Sequence, residues 1–310
     1  MEKQCFFDGS GKKLSLHTTV TAFGAVGDGL ADDTSAIQAA LNAKKEGGTV
    51  YFPAGIYKIT QPVFFYSDQI LIFQGGATLL QGASMDNLMM NYSTADLGAY
   101  DATRNVIIRG ATFDGGSYSQ NNTLLGICHS RDITISQCRF RNAYGIWHNL
   151  EVNSSKHVQI TDCWFEGSRK NGVNGELLQI DSYNNTATWP WGNGKVDGTV
   201  SYMVEVKNCF FTGCDIAPAI GNHSVAAVDC IRIHDNVFEG FTSTRGAVNF
   251  QSAKNVDVYS NSFIGCTSGI TITSGGGSNT VHDNRFLAVT TPCSGSITSY
   301  NNTINGSFAP

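Results

Sequence analysis

A short phrase that recurs along the chain constrains its fold more than any other feature. The phrase contains an apolar residue, a Cys or Asn three positions later, and a Phe two positions after that. Its copies end at Phe140, Phe165, Phe211, Phe238, Phe263 and Phe286, and a degenerate copy ends at Phe113. The steps between these residues are 27, 25, 46, 27, 25 and 23. The long step therefore reads as one repeat of about 25 residues plus an insertion of about 21.

Short β-branched runs with Gly and Asn turns at this period predict a parallel β-solenoid. One coil cannot bury its apolar side alone, so each coil stacks on the next at about 4.8 Å. The repeated Phe then forms an internal ladder, and the Cys/Asn position forms a second column. The nine cysteines are odd in number and lack a C-x-x-C pair, which argues against a disulfide framework and a structural zinc site. We interpret most of them as small buried residues of the stack.

Composition excludes several classes of protein and partner. Only 15% of the residues are charged, while 41% are hydrophobic and 34 are Gly, which excludes a long-helix protein and a disordered chain. The net charge of −5 gives no basic surface for nucleic acid. No apolar stretch is long enough to span a bilayer, and the first eight residues contain no apolar leader. We expect neither a nucleic-acid nor a membrane partner.

Residues 20–60 have the pattern of a cap. Asp32 or Asp33 is placed to cap a helix whose apolar residues are Ala36, Ile37, Ala40 and Leu41. Gly47 and Gly48 end it, and a buried strand over residues 49–52 follows. Such a helix covers the first coil, which otherwise exposes its core and strand edges. We predict one all-β domain over residues 1–310, with the cap at 20–60 and regular coils at 100–290.

This opening segment also carries a family resemblance. The run G-A-x-G-D-G-x-x-D-D-T-x-A-I-Q-x-A-L, followed by V-Y-F-P-A-G-x-Y, resembles the N-terminal cap of the pectate-lyase-like right-handed parallel β-helix superfamily. That superfamily includes bacteriophage tailspike depolymerases and secreted glycan-active enzymes. The resemblance implies a right-handed parallel β-helix with a polysaccharide substrate. Likeness to tailspikes implies a homotrimer, located on a phage tail or otherwise outside the cell.

Aligning the coils on their Phe residues also predicts one outward face. The alignment sets 127–129, 146–148, 178–180, 220–222, 248–250 and 270–272 side by side. Strand alternation then turns one set of side chains outward. The set contains Trp147, Asn149, Glu151, Gln179, Asp181, Tyr183, His223, Asn249 and Gln251. Aromatic rings with carboxylates and amides are the components of a carbohydrate cleft.

The acid/base candidates lie at the middle of this face. Asp181 and His223 occupy the same column on adjacent coils, where a carboxylate raises the pKa of an imidazole and fixes its tautomer. Glu176 precedes Asp181 by five residues, roughly 16 Å if the strand continues, but a turn would bring it back over the cleft. Asp215 ends the turn before the His223 strand and is placed at the rim.

A long loop leaves the strand that carries Asp181. The insertion at 184–201 contains Trp189, Trp191 and Asp197 among Gly and Asn residues. Long irregular loops in a compact solenoid are usually functional. We therefore expect these three side chains to wall the cleft.

Three classes of function fit this pattern. The leading one is hydrolysis of glycosidic bonds in a bacterial surface glycan or another complex glycan, which needs two carboxyl groups. Glu176 and Asp181 are our acid/base pair, with His223 as orienter or proton shuttle. The second is a polysaccharide lyase acting on a uronic-acid glycan, with His223 and Tyr183 as base and acid. The third is a non-catalytic glycan-binding spike.

Two related chemistries are not supported by the motifs. Polygalacturonases contain N-T-D, D-D, G-H-G and R-I-K motifs. This sequence has only partial matches to the last two, at Gly221-Asn222-His223 and Arg232-Ile233-His234. The outward column contains no Arg or Lys base, and its carboxylates are too sparse for a calcium cage. We predict no metal and no cofactor.

Overall fold

The computed structural model describes residues 6–7, 13–14, 17–145, 147–167, 175–183, 194–213, 217–305 and 307–309. Within these ranges the chain forms a right-handed parallel β-helix with three faces, which confirms the predicted fold. Two faces are continuous around a corner and together contain 20 strands, and the third contains 12. A separate antiparallel pair joins Phe6–Phe7 to Lys13–Leu14.

The first sheet carries the candidate site. Its strands are Val63–Phe65, Asn87–Asn91, Thr123–Cys128, Leu150–Asn153, Leu178–Asp181, Ile220–Asn222, Val248–Lys254, Ser268–Ser274 and Thr291–Gly295. Each strand pairs in parallel with its counterpart in the next coil. Residues of successive coils therefore stand in straight columns on the outside.

The second sheet adjoins the first at the corner. Its strands are His17–Thr19, Gly48–Phe52, Gln69–Phe73, Thr103–Arg109, Ser130–Ser136, Lys156–Thr161, Tyr202–Lys207, Val228–His234, Asp257–Tyr259, Thr280–His282 and Thr298–Tyr300. Strand Leu178–Asp181 is followed by Tyr202–Lys207, whereas Leu150–Asn153 is followed almost at once by Lys156–Thr161.

The third sheet closes the coil. Its strands are Asp28–Asp32, Ile56–Ile59, Thr78–Gln81, Thr112–Asp114, Arg139–Arg141, Trp164–Phe165, Phe210–Thr212, Val237–Glu239, Ser262–Ile264, Arg285–Leu287, Asn302–Ile304 and Ser307–Ala309. The last two strands pair antiparallel.

The repeated Phe forms the internal ladder that the period predicts. Neighbouring rings from Phe113 to Phe286 stack with centroids 4.6–5.1 Å apart and planes within 15° of parallel. Phe165 pairs directly with Phe211 despite the 46-residue step, so the extra residues leave the stack undisturbed. This ladder is the centre of the apolar core.

The Cys/Asn position forms the second internal column. Cys138, Cys163 and Cys209 are buried free thiols. From Asn236 onward each amide Nδ2 donates to the next Oδ1, at 3.0 Å to Asn261 and 3.0 Å from Asn261 to Asn284. These bonds satisfy buried polar groups along the helix axis.

The cap consists of a 3₁₀ turn, Val20–Phe23, and the helix Thr34–Asn42. Ile37, Ala40 and Leu41 are its buried face. Asp33 occupies the N-cap position, but its carboxylate accepts bonds from Val26 N and Gly27 N instead of capping the helix. Asp32 accepts from Thr34 N at 3.1 Å. Among the described residues, no helix is long and apolar enough to cross a membrane.

Candidate active site

The outward face of the first sheet gathers polar side chains from adjacent coils. The register sets Glu151 beside Gln179, Gln179 beside Gly221, and Gly221 beside Asn249. Gly221 is required here because a Cβ at this position would lie 1.9 Å from the Asn249 carbonyl oxygen. Two residues further along the strands, Asn153 stands beside Asp181, with His223 next in line.

The predicted alignment was wrong for two of the six segments. Leu150, not Ile146, pairs with Leu178, and Ile127 pairs with Val152, the neighbour of Ile180. The turns leading from the Phe to the next strand differ in length between coils, so distance from the Phe does not fix register. Both segments are shifted by an even number of residues. An even shift leaves each side chain on the same side of the strand, so Glu151 lies on the outward side as predicted.

Glu176 stands at the centre of the site although it precedes the strand. The chain turns at Leu177 before strand Leu178–Asp181 begins, and the Glu176 side chain is fully buried. Its Oε2 lies 3.3 Å from Nδ1 of His223, and its Oε1 lies 3.9 Å from Nη1 of Arg245. The turn thus brings Glu176 to the imidazole of His223, the residue whose backbone N–H donates to Asp181.

Asp181 is held by four donors. Its Oδ2 accepts from Gln179 Nε2 at 3.0 Å and from His223 N at 3.3 Å. Its Oδ1 accepts from Ser182 N at 2.8 Å and from the Ser224 hydroxyl. Burial raises the pKa of Asp181, and the Ser224 hydrogen bond opposes that rise.

The two histidines beside Glu176 differ in protonation at neutral pH. The hydrogen bond that His223 Nδ1 donates to the Glu176 carboxylate is the main cause that raises the pKa of His223 to about 9, against the effect of burial. Burial lowers the pKa of His148 to about 4. At neutral pH His223 is therefore an imidazolium. His148 is neutral and donates from Nδ1 to the Glu176 carbonyl oxygen at 2.7 Å.

Glu151 supplies a further carboxyl group. Burial raises its pKa to about 8, although Asn153 and Thr123 donate to its oxygens at 2.7 and 3.3 Å. At neutral pH Glu151 is therefore mainly a neutral carboxylic acid that can give up a proton. Two groups that carry a proton at neutral pH, Glu151 and His223, thus stand on either side of the coil that contains Asp181.

Among the described residues, three buried polar atoms of Glu176, Gln179 and Arg245 have no hydrogen-bond partner. They are Glu176 Oε1, Gln179 Oε1 and Arg245 Nη2. Buried polar groups are nearly always satisfied, and exceptions need an explanation. Hydroxyl groups of a sugar, which both donate and accept, would satisfy all three.

The remaining predicted residues occupy different places. Tyr183 packs against Met90 and Cys128, which stand in the outward columns of Glu151 and Asp181, and its side chain is only 1% exposed. Asn149 lies in the turn before its strand, where it is buried and donates to the Glu166 carbonyl oxygen at 2.8 Å. Trp147 is half-buried in the same turn.

Three further predicted residues, Asp197, Asn249 and Gln251, lie in the loop and in the later coils. Asp197 accepts from Ala99 N at 2.6 Å and from Thr199 N at 3.0 Å, so it ties the loop to residues near 99. Asn249 is 8% exposed and Gln251 is exposed on the outward face. Trp189, Trp191 and Asp215 lie outside the described residues.

Sequence reasoning missed His148, Ser224 and Arg245. His148 and Arg245 lie in turns, where alternation carries no information, and Ser224 follows the strand that ends at Asn222. Arg245 is not in the outward column, which was expected to contain no Arg or Lys, but it adds a guanidinium to the site from the turn. In the described ranges, no group of three or more His, Cys, Asp or Glu is arranged to hold a metal ion. The expectation of no metal or cofactor stays a prediction.

The fold is that of the pectate-lyase-like parallel β-helices. The family model described as rhamnogalacturonase A/epimerase, pectate lyase-like, matches residues 17–293, and the chain belongs to this family. The superfamily resemblance of the cap segment is thereby confirmed.

Individual relatives differ in what their names describe. The plasmin and fibronectin-binding protein A of Streptococcus pneumoniae is 30% identical over 239 residues, which cover 66% of this chain and 33% of that protein. The pre-neck appendage protein of Bacillus phage B103 is 25% identical over 214 residues, 67% of this chain and 21% of that protein. The chain thus spans a third or less of the length of these curated relatives.

Two solved structures share the fold. The S. pneumoniae surface adhesin PfbA has a TM-score of 0.71 at 20% identity, covering 93% of this chain and 97% of that one. An exopolygalacturonase of Thermotoga maritima has a TM-score of 0.66 at 13% identity, covering 93% and 79%. At such identities the likeness establishes the architecture alone.

Proposed function

We propose that this β-helix hydrolyses glycosidic bonds of a bacterial surface glycan or another complex glycan. The observation that carries the proposal is the convergence of Glu176 and Asp181 on His223. Glycoside hydrolysis generally requires two carboxyl groups, one that protonates the leaving oxygen and one that assists water or attacks the anomeric carbon. Gln179 Oε1 and Arg245 Nη2, which have no hydrogen-bond partner among the described residues, bond hydroxyl groups of a sugar. These bonds orient the sugar between the two carboxyl groups.

The two carboxyl groups differ in their surroundings. Glu176 forms the ion pair with the His223 imidazolium, and Asp181 has a pKa raised by burial. In the reaction the glycosidic C–O bond breaks and a C–O bond to water forms. One carboxyl group gives its proton to the leaving oxygen, and the other takes a proton from water. His223 donates hydrogen bonds to both carboxylates and orients them.

Binding without catalysis is the second candidate. It is favoured by the relative whose name describes binding of plasmin and fibronectin. The lyase candidate keeps His223 as its base, while its acid, Tyr183, packs against Met90 and Cys128 and contacts neither Glu176 nor Asp181 in any bond described above.

A panel digestion separates these functions. Capsular, teichoic and plant polysaccharides are incubated with the protein, and reducing ends and the ultraviolet absorbance of unsaturated uronates are followed together. Reducing ends without new absorbance support hydrolysis. A parallel rise of both signals overturns it in favour of a lyase. Neither signal, with retention of the protein on an immobilised glycan, overturns it in favour of a binding spike.

The assembly and location of the protein are part of the proposal. We infer a homotrimer outside the cell or on a phage tail, with a polysaccharide as partner and no nucleic-acid or membrane partner. Likeness to a phage pre-neck appendage protein supports this location.

A further inference from the structure

A second groove lies on the outward face of the second sheet, away from the candidate active site. Its volume is about 620 Å³, within the range of ligand-binding clefts. One column of five register partners runs along it: Gln159, Glu205, Arg232, Asp257 and Thr280. Four inter-strand steps of about 4.8 Å make the column roughly 19 Å long. We call it the second-sheet groove.

Two polar side chains of this groove, Arg232 and Gln159, are available to bind a ligand. Within the part of the chain that the structure describes, Arg232 and Gln159 form neither a hydrogen bond nor an ion pair, and both are exposed. Glu205 pairs with Lys207 at 2.9 Å and with His234 at 3.3 Å. The donors of Arg232 and Gln159 are therefore open, although carboxylates stand one coil to either side of Arg232.

The groove edge contains unusual backbone positions. His157, Met203 and Cys230 have φ of 52°, 54° and 56°, the left-handed region that Asn and Gly adopt more readily. Asn255 occupies the same conformation in the next coil. Met203 is also 45% exposed, so a strained, solvent-facing apolar side chain lines the wall.

We propose that the second-sheet groove binds a neutral oligosaccharide segment several sugars long. The carboxylates of Glu205 and Asp257 flank the single guanidinium of Arg232, so the groove offers no excess positive charge for a polyanion. Amide, carboxylate and guanidinium groups bond hydroxyls, and the apolar Met203 wall suits the C–H faces of sugar rings. The length along the axis fits a chain rather than a single sugar. This site goes beyond the proposed catalytic function.

The position in the fold disfavours an extended peptide. Peptides commonly add to a free strand edge through backbone hydrogen bonds. Here the groove lies on the face of a sheet whose strands are already paired with the coils above and below. Only side chains are available for recognition.

Methionine methyl NMR tests the proposal directly. Of five methionines, Met203 is exposed in the groove, whereas Met85, Met89 and Met90 are buried. The Met203 signal, assigned from Met203→Leu, is followed while malto-, cello-, manno- and galacto-hexaose are titrated into the full chain. A saturable shift with at least one hexaose is expected, both in the wild type and in Asp181→Asn. Glycan cleavage is not required, so failure of the hydrolase proposal leaves this outcome unaffected.

Two arginine variants supply the matched comparison. Arg232→Gln is expected to weaken binding about fivefold, the loss of roughly one hydrogen bond, without changing the melting temperature. Arg285→Gln, an exposed residue of the third sheet, is expected to bind as the wild type does. Absence of any Met203 shift overturns the proposal. A shift produced by the extended polypeptide β-casein, but by no hexaose, overturns it in favour of a peptide groove.

Discussion

Burial of carboxyl groups and imidazoles beside one another sets the protonation of the candidate active site. Glu176 stabilises the His223 imidazolium, whereas burial keeps His148 neutral. Glu151 has a pKa of about 8 because its carboxyl group is buried. Three groups, two imidazoles and one carboxyl group, therefore change charge between about pH 4 and about pH 9.

Replacing Glu176 by Gln removes the counter-charge of His223. The pKa of His223 should fall from about 9 towards its ordinary value near 6.5, measured by NMR titration of the imidazole protons. The alkaline limit of glycan cleavage should move to lower pH with it. Glu239→Gln, at an exposed position of the third sheet, is the control. An unchanged His223 titration in Glu176→Gln contradicts the ion pair.

Asp181→Asn removes the second carboxylate. We expect cleavage of the glycan identified by the panel to fall about 100-fold or more, the usual contribution of an acid/base group. Asn keeps the shape, but its single carbonyl oxygen accepts two of the four hydrogen bonds and its amide nitrogen faces the other two donors, so the melting temperature should fall and cleavage is measured below it. Activity close to that of the wild type would remove Asp181 from the reaction.

The stability of the protein should depend on pH with a defined sign. The pKa values of His223 and Glu151 are raised in the folded state, to about 9 and about 8. Both groups stabilise the folded protein fully at pH values below their unfolded-state pKa values. That stabilisation is lost as the pH rises through their folded-state pKa values. His148, lowered to about 4, contributes above about 6.5 and loses that contribution as pH falls towards 4.

Urea unfolding at a series of pH values measures this dependence. The free energy of unfolding should decrease between about pH 6.5 and about pH 9, and the decrease should be smaller in Glu151→Gln. A slope that Glu151→Gln leaves unchanged would show that Glu151 does not titrate in this range.

At the scale of elements, the Phe ladder holds the coils together. Each ring stacks on two neighbours, so one deletion leaves a cavity that the solenoid cannot close without breaking the stack. Phe238→Ala should lower the free energy of unfolding by about 3–5 kcal/mol, measured by urea unfolding. Phe23, which is 39% exposed in the cap, is the matched control, and Phe23→Ala should cost much less. Equal losses would contradict the role of the ladder.

The predictable part of the structure follows the repeats. The Phe and Cys/Asn columns were predictable because identical residues recur at one interval and must stack. The positions of Ile146 and Ile127 were not, because the turns between sheets vary in length and hide the register. Side chains in those turns, Arg245 above all, join the site only through the closure of the coil.

At the scale of the whole molecule, we propose that the β-helix presents two separate faces to glycans. The first sheet offers buried charged groups suited to chemistry, and the second offers an open groove with balanced charge. A long substrate is able to contact both faces at once only if it bends around the corner between the two sheets, or if a neighbouring subunit presents the second face.

Assembly is therefore a property to measure directly. A homotrimer should sediment at three times the chain mass of 33.3 kDa at micromolar concentration. Sedimentation at the mass of one chain would exclude the trimer inferred from the tailspike resemblance.

The sequence by itself determined the solenoid, its cap, its internal ladders and the outward direction of Glu151, Gln179 and Asp181. These features depend on local periodicity, and the residues that carry them repeat. Only the tertiary structure decided that Tyr183 is buried, that Glu176 reaches His223, and that His148 and Arg245 complete the site. Such contacts join turns of different coils, and their geometry is set by stacking of the whole helix rather than by spacing along the chain.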